Sequence, residues 1–251
     1  MKDIDLSSVD IHKLPPSKKR RLIRYLENRR RLREVGGHLH KYFLEEGPYS
    51  WEKYEKHIEF FSAGKIFRER CFMAGNRVGK TLAGAYEMAC HLTGDYPDWW
   101  TGRVFDHEIS AWAAGDTGQT TRDIIQYTLL GPPGEMGTGL IAKDKIVDYK
   151  IRPGIPNAID SIEVKNNSGK SSFLGFKSFD QKRRSFQGTA KHVVWLDEEP
   201  PEEVYGESLM RTMTTNGMVY VTFTPLQGLT EFVMDFMDNS VSYTQEEENI
   251  G

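Results

Sequence analysis

Ala74-Gly75-Asn76-Arg77-Val78-Gly79-Lys80-Thr81 lies between a short strand-like run, Arg70 to Met73, and a helical pattern, Lys80 to Leu92. Two glycines, a lysine and a hydroxyl in that order suit the binding of a triphosphate. Backbone N–H groups at a helix N-terminus face the phosphates, Lys80 reaches the terminal oxygens, and the Thr81 hydroxyl ligates Mg²⁺. The expected cofactor contacts are therefore Gly75, Asn76, Arg77, Val78, Gly79, Lys80 and Thr81. Such a loop usually starts with glycine, and Ala74 fits there provided that its φ stays negative.

A second constellation lies downstream. His192-Val193-Val194-Trp195-Leu196 is apolar and ends in Asp197-Glu198-Glu199. A strand of this kind, following a phosphate loop, places its Asp beside the metal, and the adjacent Glu polarises the attacking water. Asp197 is thus assigned to Mg²⁺ and Glu198 to the water. Glu199, which precedes Pro200-Pro201, caps or orients the loop. The second carboxylate is common in enzymes that hydrolyse ATP to do work.

Elements must hold these groups in place. From Trp51 onward, strands alternate with helices, which predicts a mostly parallel sheet. Strands are expected over Arg70 to Met73, Ile109 to Ala114, His192 to Leu196 and Val219 to Phe223, with helices over Lys80 to Leu92 and Thr120 to Leu130. Ile162 to Lys165 and Ser172 to Phe176 flank Asn166-Asn167-Ser168-Gly169, which suggests an antiparallel hairpin. Ahead of this body, Lys18 to Arg21, Arg24, Arg29 to Arg31 and Arg33 form a basic amphipathic helix between Pro15-Pro16 and Gly36-Gly37. A short helix and a turn at Gly47-Pro48 follow it.

The 251 residues hold one large α/β domain with an appendage, or two small ones. A net charge of −3 and a pI near 6.2 argue against a uniformly basic nucleic-acid coat. The charge is uneven, since residues 1–50 carry about five more basic than acidic side chains. Cys71 and Cys90 have neither metal-ligand nor redox spacing and read as reduced thiols. No secretory signal and no run long enough to span a bilayer is present, so a soluble intracellular protein without membrane contact is expected.

Several motifs in order carry a resemblance. Cys71-Phe72-Met73-Ala74-Gly75-Asn76, the loop, and the helix ending His91-Leu92-Thr93-Gly94 resemble the large terminase subunit of tailed double-stranded DNA phages, notably the headful-packaging, short-tailed Salmonella-phage type. Tyr96-Pro97-Asp98-Trp99-Trp100, Trp195 to Pro201, Tyr205-Gly206-Glu207 and Thr222-Phe223-Thr224-Pro225-Leu226 are similar to that family as well. The likeness runs from about Tyr54 to about Gly228.

The resemblance implies an α/β, ASCE-type P-loop NTPase with a mostly parallel central sheet flanked by helices and a helical N-terminal extension. The expected division is a basic extension over 1–50, an ATPase core over 51–228, and over 229–251 the start of a lid or linker toward a C-terminal nuclease domain. That nuclease is expected to be absent, leaving a motor domain without nuclease activity. The implied activity is ATP hydrolysis with Mg²⁺ to move double-stranded DNA into a procapsid. The implied partners are DNA, the portal protein, the small terminase subunit, and further copies in a ring, a pentamer on the procapsid, with the isolated chain monomeric. The implied location is the host cell cytoplasm, transiently at the portal.

The family also implies roles for single residues. Thr222, Phe223 and Thr224 match its coupling motif. Tyr54 and His57 fall in its adenine-binding stretch, with His57 where a Gln is usual. Two arginines are alternatives for neutralising transition-state charge: Arg77, within the loop, in cis, and Arg183 of Lys182-Arg183-Arg184, which fits the family's position for a basic residue offered in trans to a neighbouring subunit and is the favoured one. Gln187-Gly188 fits the pattern without an evident chemical role. Two other readings use the same residues: a helicase-like motor, and an assembly module that holds ATP without hydrolysing it.

Overall fold

The computed structural model describes residues 39–44, 47–226 and 228–238, together with positions 15 and 19. Apart from Lys19, the basic helix expected after Pro16 lies outside the described residues, as do the last dozen residues.

Seven strands form one sheet: β1 (Glu69–Met73), β2 (Ser110–Gly115), β3 (Ile146–Ile151), β4 (Ile159–Lys165), β5 (Ser171–Ser178), β6 (Val193–Asp197) and β7 (Met218–Phe223). Their spatial order is β1-β7-β6-β2-β5-β4-β3. The pairings from β1 through β7, β6 and β2 to β5 are parallel, whereas β5, β4 and β3 run antiparallel to one another. One strand, β7, therefore separates the phosphate-loop strand β1 from the acidic strand β6. Every residue of β6 and β7 is buried, as expected of strands covered on both faces. The expected hairpin is present, closed by Asn166 N–H donating to the Lys170 carbonyl at 2.8 Å.

Helices α1 (Glu55–Ala63) and α2 (Lys80–Thr93) pack on one face of the sheet, and α4 (Glu202–Met213) packs on the other. Between them in the chain, α3 spans 118–130, its middle turn Thr121–Gln126 being π-helical. The last described helix is α5 (Glu231–Asp238). Side chains alternate across β6 and β7. Trp195 and Tyr220 join the apolar cluster under α2, whereas Val194, Leu196, Val219 and Val221 join the cluster under α4. Leu39 and Phe43, from the segment before Trp51, also pack into the α2-side cluster. The sequence reading missed α1, α4 and β3.

Helix α2 lies close to the sheet because residue 84 is glycine. A Cβ there would stand 2.4 Å from Trp195 Nε1. A buried ionic chain crosses the same interface: Arg70 Nη2 donates to Glu87 Oε1 at 2.6 Å, and His91 Nε2 lies 3.2 Å from that oxygen. Burial by itself pushes the Glu87 carboxyl up, but Arg70 and His91 together outweigh it and hold the group below its usual value. Opposing, well-bonded charges are what allow such groups to be fully buried.

Candidate active site

The loop after β1 turns through two residues of positive φ, Arg77 at 62° and Gly79 at 85°. Gly79 is the N-cap of α2, and its left-handed backbone is where a glycine is needed. Ala74 is not among the residues of positive φ, so the condition on an alanine at that position is met. The Lys80 ammonium folds back over the loop and donates to the Gly75 carbonyl at 2.6 Å. Burial lowers the Lys80 pKa, while Glu198 and Asp197 oppose that shift.

Three segments remote in sequence meet at Asp197. The Thr81 hydroxyl donates to Asp197 Oδ1 at 3.0 Å, and the Thr222 hydroxyl donates to the same oxygen at 2.7 Å. Trp195 Nε1 in turn donates to Thr222 Oγ1 at 2.8 Å. This relay is buried, and burial raises the Asp197 pKa to about 7 against the hydrogen bonds from Thr222 and Thr81. Oxygen donors from Thr81 and Asp197 at this separation fit a hard divalent cation such as Mg²⁺.

Glu198, one residue on, has a different environment. Its φ is 100°, a strained value for a residue with a side chain, and its N–H is held by the Thr222 carbonyl at 2.9 Å. The residue lines a cleft of about 370 Å³ together with Asp197, Thr224 and Asp116. Burial raises its pKa, with Lys80 opposing and Asp116 adding. The sequence reading missed Asp116. Its signal was positional, because it is the first polar residue after β2 and lies at the carboxyl end of a strand beside the acidic one.

The remaining candidates divide between this cleft and other places. Thr224 Oγ1 donates to Asn76 Oδ1 at 2.9 Å, which ties the end of β7 to the loop. Phe223, between Thr222 and Thr224, is buried and packs on Phe232 of α5. Tyr54, His57 and Val78 of the loop line a second cavity of about 610 Å³, together with Pro48. His57 is buried beside the loop, with Nε2 3.2 Å from where a Gly79 Cβ would lie, and burial lowers its pKa. Arg77 is exposed, with no hydrogen bond or ion pair among the described residues. Arg183 lines neither cavity, and its Nε donates to Glu207 at 3.0 Å. Glu199 Oε1 accepts from Thr230 Oγ1 at 2.5 Å, joining the acidic turn to the start of α5.

The family model for the terminase large subunit, T4likevirus-type, N-terminal, matches residues 71–249, which include the phosphate loop and the acidic strand. The chain belongs to this terminase large subunit family. The large terminase subunit of Salmonella phage P22 is 38% identical over 211 residues, which cover 76% of this chain. This terminase chain spans 42% of the length of that relative. The ATPase-domain structure of the Thermus phage P74-26 large terminase matches with a TM-score of 0.50, covering 78% of this chain and 77% of that one. At 15% identity the likeness is one of fold. The expectation of a P-loop terminase fold with a mostly parallel, helix-flanked sheet is thus met. Among the described residues of this terminase chain, no helix is long and apolar enough to cross a membrane.

Proposed function

We propose that this chain hydrolyses Mg²⁺-ATP and that hydrolysis drives double-stranded DNA into a procapsid. The observation that carries this reading is the convergence of Thr81 and Asp197, 3.0 Å apart, with Glu198, next in the chain, lining the same cleft as Asp197. Mg²⁺, when bound, neutralises charge on the terminal phosphates, and Thr81 and Asp197 are the residues that hold it. The loop amides from Gly75 to Gly79 cradle the phosphates. Lys80 exchanges the Gly75 carbonyl for phosphate oxygens, and its charge grows in value as the transition state develops. Glu198 accepts a hydrogen bond from the attacking water and aligns it in line with the γ-phosphorus.

Tyr54 and His57, beside Val78, form the wall against which the adenine is received. Thr222 on β7 reaches Asp197, and Thr224, just past the strand, reaches Asn76 of the loop, so this one segment contacts both the residue that would hold the metal and the loop that would hold the phosphates. This double contact supports the coupling role of Thr222, Phe223 and Thr224. Of the two candidate arginines, Arg183, which lies outside its own cleft, is the favoured finger and serves in trans, with Arg77 the alternative in cis. The working form is a ring at the portal in the host cell cytoplasm, engaged with DNA, the portal protein and the small terminase subunit. The proposed organisation places a basic extension over 1–50, its Leu39 and Phe43 packed into the core cluster, and the start of a lid or linker over 229–251.

Steady-state phosphate release tests the proposal. Glu198→Gln lowers turnover by about a thousandfold or more while ATP binding stays near the wild-type affinity. Equal release from both proteins would instead support the passive nucleotide module.

A further inference from the structure

Gln187-Gly188 and Tyr205-Gly206-Glu207 have no part in the chemistry above, yet the fold brings them together. The Glu207 side chain is only 3% exposed, and both of its oxygens are taken by arginines. Oε2 accepts from Arg183 Nε at 3.0 Å, and Oε1 lies 2.9 Å from an Arg211 Nη. Arg211 also donates, through its other Nη, to the Gly188 carbonyl. One buried carboxylate on α4 therefore grips both ends of the segment from Lys182 to Gly188, directly at Arg183 and through Arg211 at Gly188. Phe186, fully buried against Trp112, pins the middle.

The Arg183 guanidinium is held at Nε, and among the described residues its two Nη groups have no partner. The side chain is 54% exposed. A guanidinium tethered by Nε can still offer a bidentate fork to an anion. The rotamer ordering that binding would otherwise require is already accomplished in the folded chain. Such an arrangement suits an anion that comes from outside the chain.

We infer that Glu207 is the positioning residue that presets Arg183 for the triphosphate held by a neighbouring subunit. The inference rests on the proposal that Arg183 acts in trans. Glu207 and Gly188 then serve the same end, since the first sets the arginine and the second fixes the end of the loop that carries it.

The test is subunit mixing, read as phosphate release at protein concentrations where wild-type turnover per subunit has reached its plateau. Alone, Arg183→Ala loses about a thousandfold in kcat. Glu207→Ala and Glu207→Gln lose about a hundredfold, as a misplaced group does, with KM for ATP unchanged. Arg183→Ala with Glu207→Ala is no slower than Arg183→Ala. Mixed in equal amounts with Glu198→Gln, each slow variant regains turnover. An intact site on one subunit then meets an intact arginine on the next at about a quarter of the head-to-tail interfaces. A folding defect in Glu207→Ala would not be rescued this way, and Glu207→Gln, which keeps the side-chain volume, guards against one. Wild-type kcat in both Glu207 variants would overturn the inference, as would their failure to be rescued where Arg183→Ala is. Failure of Arg183→Ala to lose turnover, or to be rescued, would overturn the trans reading and the inference with it, while leaving the Glu198 test untouched.

Discussion

Asp197 and Glu198 are adjacent in sequence, yet the fold gives them opposite surroundings. Asp197 is enclosed under the sheet end and accepts two hydroxyl donors, while Glu198 lines the cleft. Burial raises the Asp197 pKa from the ordinary 3.8 to about 7. Folding therefore takes up a proton between these values. The metal-free protein loses stability as pH rises from about 4 to about 7, and carries the full penalty above that. Asp197→Asn removes the ionisation. Differential scanning at pH 8 without divalent cations should show the variant melting on the order of 5 °C higher than wild type, with the gap closing by pH 4. The same variant loses the thermal upshift that Mg²⁺-ATP gives wild type. A variant that melts lower at pH 8 would mean that the hydrogen bonds from Thr81 and Thr222 outweigh the burial of charge.

At the scale of elements, the site depends on how closely α2 approaches β6. Gly84 permits contact with the Trp195 indole, whose N–H holds Thr222, which holds Asp197. Gly84→Ala puts a methyl group where the ring nitrogen stands, so the ring or the helix must shift. Urea unfolding should show a loss of about 1–3 kcal/mol, as overpacking costs elsewhere. Because the indole is also a hydrogen-bond donor in the relay, kcat should fall in the same protein more than KM changes. Unchanged stability and turnover would mean that the interface yields freely. The strands that carry the site were legible in the sequence, since β6 and β7 are unbroken apolar runs and α2 opens on a glycine-rich loop. Helix α4 was not, because it follows Pro200-Pro201 and keeps Met210 and Met213 in solvent, which blurs its apolar stripe. Strand β3 was missed because it is an edge strand with Val147, Tyr149 and Ile151 exposed. The meeting of Thr81 with Asp197, with Lys80 and Glu198 as their neighbours in the chain, was legible from residue types and order. The grip of Glu207 on Arg183 did not, because a pair formed 24 residues apart leaves no pattern in the chain.

For the whole molecule, charge distribution sets the terms on which the proposed DNA partner would be met. The chain carries a net charge of −3, yet residues 1–50 hold about five positive charges in excess. The remainder is therefore acidic and repels a polyanion at long range, which makes local clusters of cations decisive. The densest in sequence is Lys18 to Arg33, with nine lysines and arginines against a single Glu27. If these side chains meet DNA phosphates, binding releases counterions, and the logarithm of affinity falls linearly with the logarithm of salt. Leu39 and Phe43 belong to the core, so removal of residues 1–38 spares the packing that they provide. Fluorescence anisotropy with duplexes of unrelated sequence should show affinity falling equally for all of them on truncation. The salt slope should shrink by about 2 or more, equivalent to at least two lost phosphate contacts. An unchanged slope with unchanged affinity would move the basic segment away from DNA. The portal or the small subunit would then be the proposed partner, tested by whether the truncated chain still assembles with either.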